Sequence, residues 1–382
     1  MIRRAALVAL VVSGGAGGGR AGSQTPDSLR PTVGLTGLQG IAMPTYERVS
    51  GVGFSVGFDV AVPQLRFKAT PLVTYRSQLG AVDPSVEGSV DFPRGITLDY
   101  SAARAVFTND AWIRNDLING FEFLAFGQDT RNYARGTRGE LRLSHEWNGP
   151  GWRVKPELGG RFEHLESVRA EPVVQSAPFT FFDYSDSLGR FRPNPAVQGG
   201  GIQSALAGVR LDWDSAAIET RLRVRVEVAH QSSTAVGIPP VTDPFFGQLT
   251  LDGDVTFPTF RRQTLHVYAH VVATTGGDTP LQRWAYLGGP GTLPTIDLLS
   301  LGGDQLVYID AHYAIPIRRW TIRGLDAPLF ELREALGGAA FQEFPKLEQL
   351  SGVRLALGYL YTEWLVDPDR RTSKFSAGVS MF

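Results

Sequence analysis

Several groupings in this chain hold the residue types from which nucleophiles, acid–base pairs and metal sites are built. Gly53-Phe54-Ser55-Val56-Gly57 has the Gly-x-Ser-x-Gly spacing of a serine nucleophile elbow, which requires a strand, a sharp turn and a following helix. His266 and His270 lie four apart, a metal-ligand spacing on a helix. Asp310 and His312 form a candidate acid–base pair, and Asp252-Gly253-Asp254 has the start of a calcium loop without its later acidic ligands. The local pattern argues against chemistry at each. Val52, Phe54, Val56, Phe58 and Val60 alternate straight through Ser55, so this serine sits on an extended strand and has no elbow. On a strand, His266 and His270 stand about 13 Å apart at ~3.3 Å per residue, too far to share one ion. They read as polar residues of one sheet face, and Asp310 with His312 as part of a hydrogen-bond network. The expectation is a protein that is not an enzyme and carries no cofactor or metal.

The remaining grouping is Arg221, Arg223 and Arg225. These like charges alternate with Leu222, Val224, Val226 and Val228. They would repel unless neighbouring strands supply acids, for which Glu140, Glu146, Glu157, Glu163 and Asp310 are candidates. The alternative is an anion-selective pore or a binding lumen, since rings of arginine favour anions.

The elements that carry these residues read in period two. Successive side chains of a strand point to opposite faces, so Glu219 to Val228 separates into an apolar and a charged face. The same alternation covers 64–75, 140–147, 153–163, 265–271, 307–313 and 353–361. Each stretch approximates the 9–11 residues with which a tilted strand crosses a bilayer. Turn signals such as Asn148-Gly149-Pro150-Gly151, Gly276-Gly277-Asp278 and Asp367-Pro368-Asp369 separate them. Aromatics near strand ends (Tyr46, Tyr75, Trp112, Trp147, Trp152, Trp213, Trp320 and Trp364) suit interfacial girdles. The fold class is therefore all-β: a transmembrane antiparallel β-barrel of about 12–16 strands, with a long external connection from Val168 to Gly201.

Composition supports this. The chain has 382 residues, of which 43% are hydrophobic and 20% charged, with 44 Gly, 24 Pro, no Cys and a net charge of −1. That excludes a disulfide framework and a cysteine nucleophile, and it argues against a nucleic-acid partner. Average hydropathy suits a barrel, in which only every second strand residue meets lipid. Arg3-Arg4, the apolar run Ala5 to Val12 and small residues ending at Ser23 predict a signal peptide over 1–23. A short periplasmic segment over 24–48 and a barrel over 49–382 would follow. The expected location is the bacterial outer membrane.

Leu287-Gly288-Gly289-Pro290-Gly291-Thr292-Leu293-Pro294-Thr295-Ile296, followed by Gly303-Asp304 and then Tyr313-Ala314-Ile315-Pro316-Ile317, resembles the C-terminal part of the BamA/TamA-like outer-membrane barrels, the bacterial surface antigen family. Tyr46 to Val52 resembles the opening of the first strand in such barrels. Phe382 resembles the terminal aromatic read by the barrel insertion machinery. The resemblance implies a loop, marked here by Gly288, Gly289, Pro294, Gly303 and Asp304, that folds into the lumen. It also implies protein insertion or translocation as the activity, and the lipid bilayer and that machinery as partners. Where the family carries an arginine that pairs with lumenal acids, this chain has Pro294, so the lock is absent or rebuilt. Residues 24–48 leave no room for the family's periplasmic domains, which a separate periplasmic partner protein would have to supply. The operative edges would be residues 50–61 and 372–382. The alternative function is a passive anion-preferring channel or ligand-binding barrel using Arg221, Arg223 and Arg225.

Overall fold

The computed structural model describes residues 31–37, 42, 44–168, 194–215, 217–232, 243–260, 262–317, 328–358 and 360–379. The signal segment 1–23, most of the 168–201 connection, Trp320 and Phe382 lie outside them.

Alternating stretches become one antiparallel sheet of eighteen strands. Two short strands, β1 (Thr32–Leu35) and β2 (Thr45–Glu47), lie along the same edge of β3 (Gly51–Val62). An up-and-down meander follows through β4 (Phe67–Arg76), β5 (Ala81–Phe92), β6 (Ile96–Phe107) and β7 (Ala134–His145). A three-residue strand, β8 (Trp147–Gly149), is part of the turn into β9 (Trp152–Ser167). The order continues through β10 (Gly200–Asp214), β11 (Glu219–Ser232), β12 (Phe245–Pro258) and β13 (Thr264–Gly276). A small hairpin, β14 (Ala285–Leu287) with β15 (Leu301–Gly303), forms a separate sheet. The wall resumes with β16 (Gln305–Pro316), β17 (Leu329–Ala340), β18 (Glu348–Leu357), β19 (Leu360–Asp367) and β20 (Thr372–Val379). Taking β1 and β2 as one interrupted course, and β8 as turn, the eighteen strands make sixteen courses, the top of the expected range.

Burial is inverted relative to a water-soluble sheet. Leu158 is 65% and Phe375 69% exposed, whereas Glu163 is fully buried and Arg333 only 3% exposed. Apolar side chains thus form an outer belt and charged ones the interior, as a bilayer on one side and a polar lumen on the other require. Glu219–Val228 behaves as its pattern predicts, with Val226 and Val228 outward and Glu227 buried.

The two rims differ. At one, the connections are tight, as at 63–66, 93–95 and 215–218; at the other they are long, as at 108–133 and 277–304. Trp147, Trp152 and Trp213 are exposed at the tight rim, with Trp152 directly opposite Trp213 on the neighbouring strand. Three expectations are corrected here. Trp112 and Tyr46 belong to no girdle: Trp112 stacks on His270 inside the barrel, and Tyr46 is buried against Phe123. Pairing also begins before residue 49, because β1 and β2 occupy the edge of β3 that was expected to be the first free edge.

Candidate functional site

Two connections from the long-loop rim fold back into the barrel. The first, residues 108–133, contains the helix α1 (Asp116–Phe126). Its ends are locally specified. The Asn115 side chain accepts a hydrogen bond from the Ile118 N–H, and Gly127 takes the left-handed conformation (φ 70°) that closes the last turn. Phe123 stacks on Tyr46 at 5.5 Å, and Arg48 pairs with Asp129 at 3.2 Å, so this connection is fastened to β2 and the turn after it. Asn119 donates to Asp129 and accepts from the Thr130 N–H, which keeps the return segment folded against the helix. Arg114 pairs with Glu122 and donates to the Tyr361 hydroxyl on β19 at 3.4 Å. Trp112 reaches farther across, with ring centroids 4.0 Å from His270 on β13.

The second connection, residues 277–304, holds the motif singled out from sequence. Leu287, Leu293 and Ile296 are buried against Leu306, Tyr308, Ala335 and Leu350 on the inner face of β16, β17 and β18. Gly288 has φ 116°, and a Cβ there would meet the Asp297 carbonyl oxygen at 2.3 Å, so only glycine fits without rearrangement. Gly289 donates its N–H to the Leu293 and Ile296 carbonyls. Asp304 accepts from the Gln342 N–H at 2.8 Å and from Thr279 at 3.2 Å. Pro294 is buried within the loop, and Gly303 lies against the backbone of Ala340.

Two arginines that the sequence reading passed over hold this loop. Arg283, just before β14, is buried between Glu163 and Glu227. Burial alone would lower its affinity for the proton, but Glu227 and Glu163 outweigh that and push the guanidinium above its ordinary range. Arg333 lies on β17. It contacts Asp310 through two hydrogen bonds, at 3.0 and 2.8 Å, pairs with Glu363 at 2.9 Å and donates to the Thr292 carbonyl at 3.0 Å. The contact is made from the wall side: the loop offers the Thr292 carbonyl and β17 offers the Arg333 guanidinium.

The residues first suspected of chemistry lie on wall strands and hydrogen-bond to neighbouring strands. Ser55 shares a hydrogen bond with Thr74 at 2.8 Å in the middle of β3. His270 bonds Asp252 at 2.7 Å and His266 bonds Asp254 at 3.0 Å, so both acids of the Asp252-Gly253-Asp254 run lie on a strand and face histidines. His312 lies between Asp310 and Glu331, 3.2 Å from each. The acids proposed as partners for Arg221, Arg223 and Arg225 are engaged elsewhere. Glu163 serves Arg138, Arg161 and Arg283, Glu140 and Glu157 serve Arg142, Glu146 serves Arg153, and Asp310 serves Arg333. Arg221 pairs with Glu219 at 2.6 Å on its own strand. Arg223 and Arg225 make no ion pair among the described residues.

Between the two inserted connections and the wall lie cavities of about 400 and 310 Å³, both lined by Trp112.

An antiparallel meander with an apolar exterior, a charged lumen and two inserted connections defines the class: a transmembrane antiparallel β-barrel. Among solved structures the chain is similar to CdiB from Escherichia coli, with a TM-score of 0.50 and 10% identity over 93% of this chain and 62% of that one. It is also similar to CdiB from Acinetobacter baumannii, with a TM-score of 0.43 and 11% identity over 88% and 58% of the two chains. A third likeness is to a bacterial polysaccharide outer membrane secretin, with a TM-score of 0.33 and 10% identity over 88% and 92%. The chain thus spans less than two thirds of the Escherichia coli CdiB chain. No protein-family profile matches the sequence, and no curated protein matches it.

Proposed function

We infer that this barrel handles polypeptide at the bacterial outer membrane, passing it across or inserting it, from a resting state in which the lumen is closed. The observation that carries this reading is the seam. Every wall strand from β3 to β19 is paired on both sides, yet among the described residues no ladder joins β20 to β1 or β2. α1 packs against both β2 and β20. An unpaired pair of edges held by a side-chain wedge can open at far smaller cost than a hydrogen-bonded ladder, and a free edge can template an incoming strand. The operative edges in this reading are β1 and β2 on one side and β20 on the other, not 50–61, because β3 is paired along both edges. The resemblance of the 287–317 region to the BamA/TamA-like barrels supports the same activity, as does the fold shared with CdiB. A separate periplasmic protein would deliver the substrate at the tight-turn rim, which the short-turn rule assigns to the periplasm. The two inserted connections favour this reading over a permanently open anion channel.

The test exploits the lack of cysteine. A Cβ on residue 120 would stand 3.4 Å from the Tyr46 Cβ, close to the ~3.5–4.5 Å span of a disulfide. The double variant Y46C/G120C should therefore clamp α1 to the seam when oxidised. Cells with wild-type barrel, no barrel and the clamped barrel are compared by quantitative proteomics of outer membrane and medium. The expected result is a set of polypeptides lost without the barrel, lost with the clamp, and restored by reductant. Identical proteomes with and without the barrel would refute polypeptide handling. Full activity of the oxidised clamp would refute the role of the seam.

A further inference from the structure

We propose that the larger lumenal cavity is a binding site for a small oxyanionic solute, one carrying a phosphate or carboxylate group. The cavity, about 400 Å³, lies within the ~300–1,000 Å³ range of small-molecule sites. Most of its charges are already neutralised. Arg138, Arg161 and Arg283 are paired with Glu163 and Glu227, and Asp252 is bonded to His270. What remains is Arg223 and Arg225, which make no ion pair among the described residues; Asp252, directly across from Arg223 on β12, is held by His270. Thr250 sits directly across from Arg225 on β12 and also lines the cavity.

Arg223 and Arg225 share one face of β11, about 7 Å apart at ~3.3–3.4 Å per residue. In a lumen with less water than bulk solvent their repulsion is strengthened. A solvated oxyanion between them replaces that repulsion with two attractions, and the guanidinium fork matches carboxylate and phosphate oxygens two at a time. The Thr250 hydroxyl supplies a further donor. Trp112, stacked on His270, presents a flat wall for the body of a larger solute. Arg223 is exposed, so the site opens toward the tight-turn rim, while the inserted connections close it from the other side. The arrangement is that of a site that retains an anion, not of a pore that conducts one. The inference needs only the barrel and its lumen, so it stands or falls apart from the polypeptide reading.

The experiment uses the full chain in detergent micelles, with isothermal titration of inorganic phosphate and of citrate, each against chloride at matched ionic strength. Saturable binding of either probe is expected, with phosphate and citrate affinities showing which oxyanion chemistry the site prefers. R223Q and R225Q should each weaken binding by about tenfold or more, since each removes a charged hydrogen-bonding partner. R153Q, at a rim arginine that is 55% exposed, should bind as the wild type does. Heat-modifiable gel mobility verifies that each variant is folded. No saturable binding of either probe by the wild type, or unchanged binding by folded R223Q/R225Q, would overturn the proposal.

Discussion

Excising residues 109–132 and joining Thr108 to Tyr133 through Asn-Gly should convert the closed barrel into an open pore. The wall tolerates this change. Phe107 and Ala134 are opposite each other in the β6–β7 ladder, so the next pair in register is 108 with 133, which a two-residue turn closes. Every β6–β7 ladder hydrogen bond is retained. What leaves is Trp112, which lines both lumenal cavities, together with α1 and the Arg114 and Arg131 contacts that hold it. The two spaces then merge, and the side of the lumen next to the seam opens toward the long-loop rim. In planar bilayers the excised barrel should show stable openings with conductance several-fold above any wild-type level. Cells carrying it should become sensitive to large antibiotics that the outer membrane normally excludes. A folded, heat-modifiable variant with unchanged conductance would mean that residues 277–304 close the lumen unaided.

The wall was legible in the sequence because a bilayer enforces a strict rule on it. Leu360–Asp367 alternates residue by residue between exposed and buried, with Leu360, Thr362, Trp364 and Val366 outward and Tyr361, Glu363, Leu365 and Asp367 inward, a split that can be read without knowing the fold. The strand pairings that give those charges their roles were not legible. Arg223 and Glu163 look equally available in the sequence. Only the register, which places Glu163 opposite Arg138, and the descent of Arg283 from a loop 120 residues away in sequence decide which arginine has a partner. α1 left a weak signal, Asn115 before and Gly127 after an 11-residue run, but within a chain of alternating strands nothing local says that this helix turns inward. β1 and β2 are too short to show periodicity, and what makes them strands is the edge of β3. Trp112 and Tyr46 were placed at the membrane interface because an aromatic near a strand end suits that site. Their burial depends on α1 and β13, which local sequence does not reveal. The contact that holds the loop near Pro294, the Thr292 carbonyl facing Arg333, involves a backbone atom and carries no side-chain signature.

That contact, joined to its ion pairs, makes Arg333 the residue whose loss should cost the most. Asp310 and Glu363 both face its guanidinium, and Tyr308, which donates to Asp310 at 2.8 Å, lies 3.2 Å from it. R333M keeps the side-chain bulk but removes the donor shared by Asp310, Glu363 and the Thr292 carbonyl; Glu363 keeps Arg354 and Ser376, while Asp310 is left with Tyr308 and His312 and no arginine. Removing one partner of a buried pair in this way costs about 3–5 kcal/mol, far more than the net worth of the pair, because the remaining charge cannot regain water. Urea unfolding in vesicles should show a loss of that size. A second readout separates the lock from general stability. If Arg333 fastens the inserted loop, trypsin should cut folded R333M at Arg283, which is only 3% exposed in the wild type. Neutralising Asp310, which then faces no arginine, should restore part of the loss, so D310N/R333M is expected to be more stable than R333M alone, whereas D310N in the wild-type background should destabilise. R333K should restore little, because a lysine offers one compact charge where Asp310, Glu363 and the Thr292 carbonyl are contacted by different nitrogens of a planar fork. Equal stability of R333M and wild type would show that the loop is held by Arg283 and its apolar contacts alone, and the wall-borne lock would then have to be abandoned.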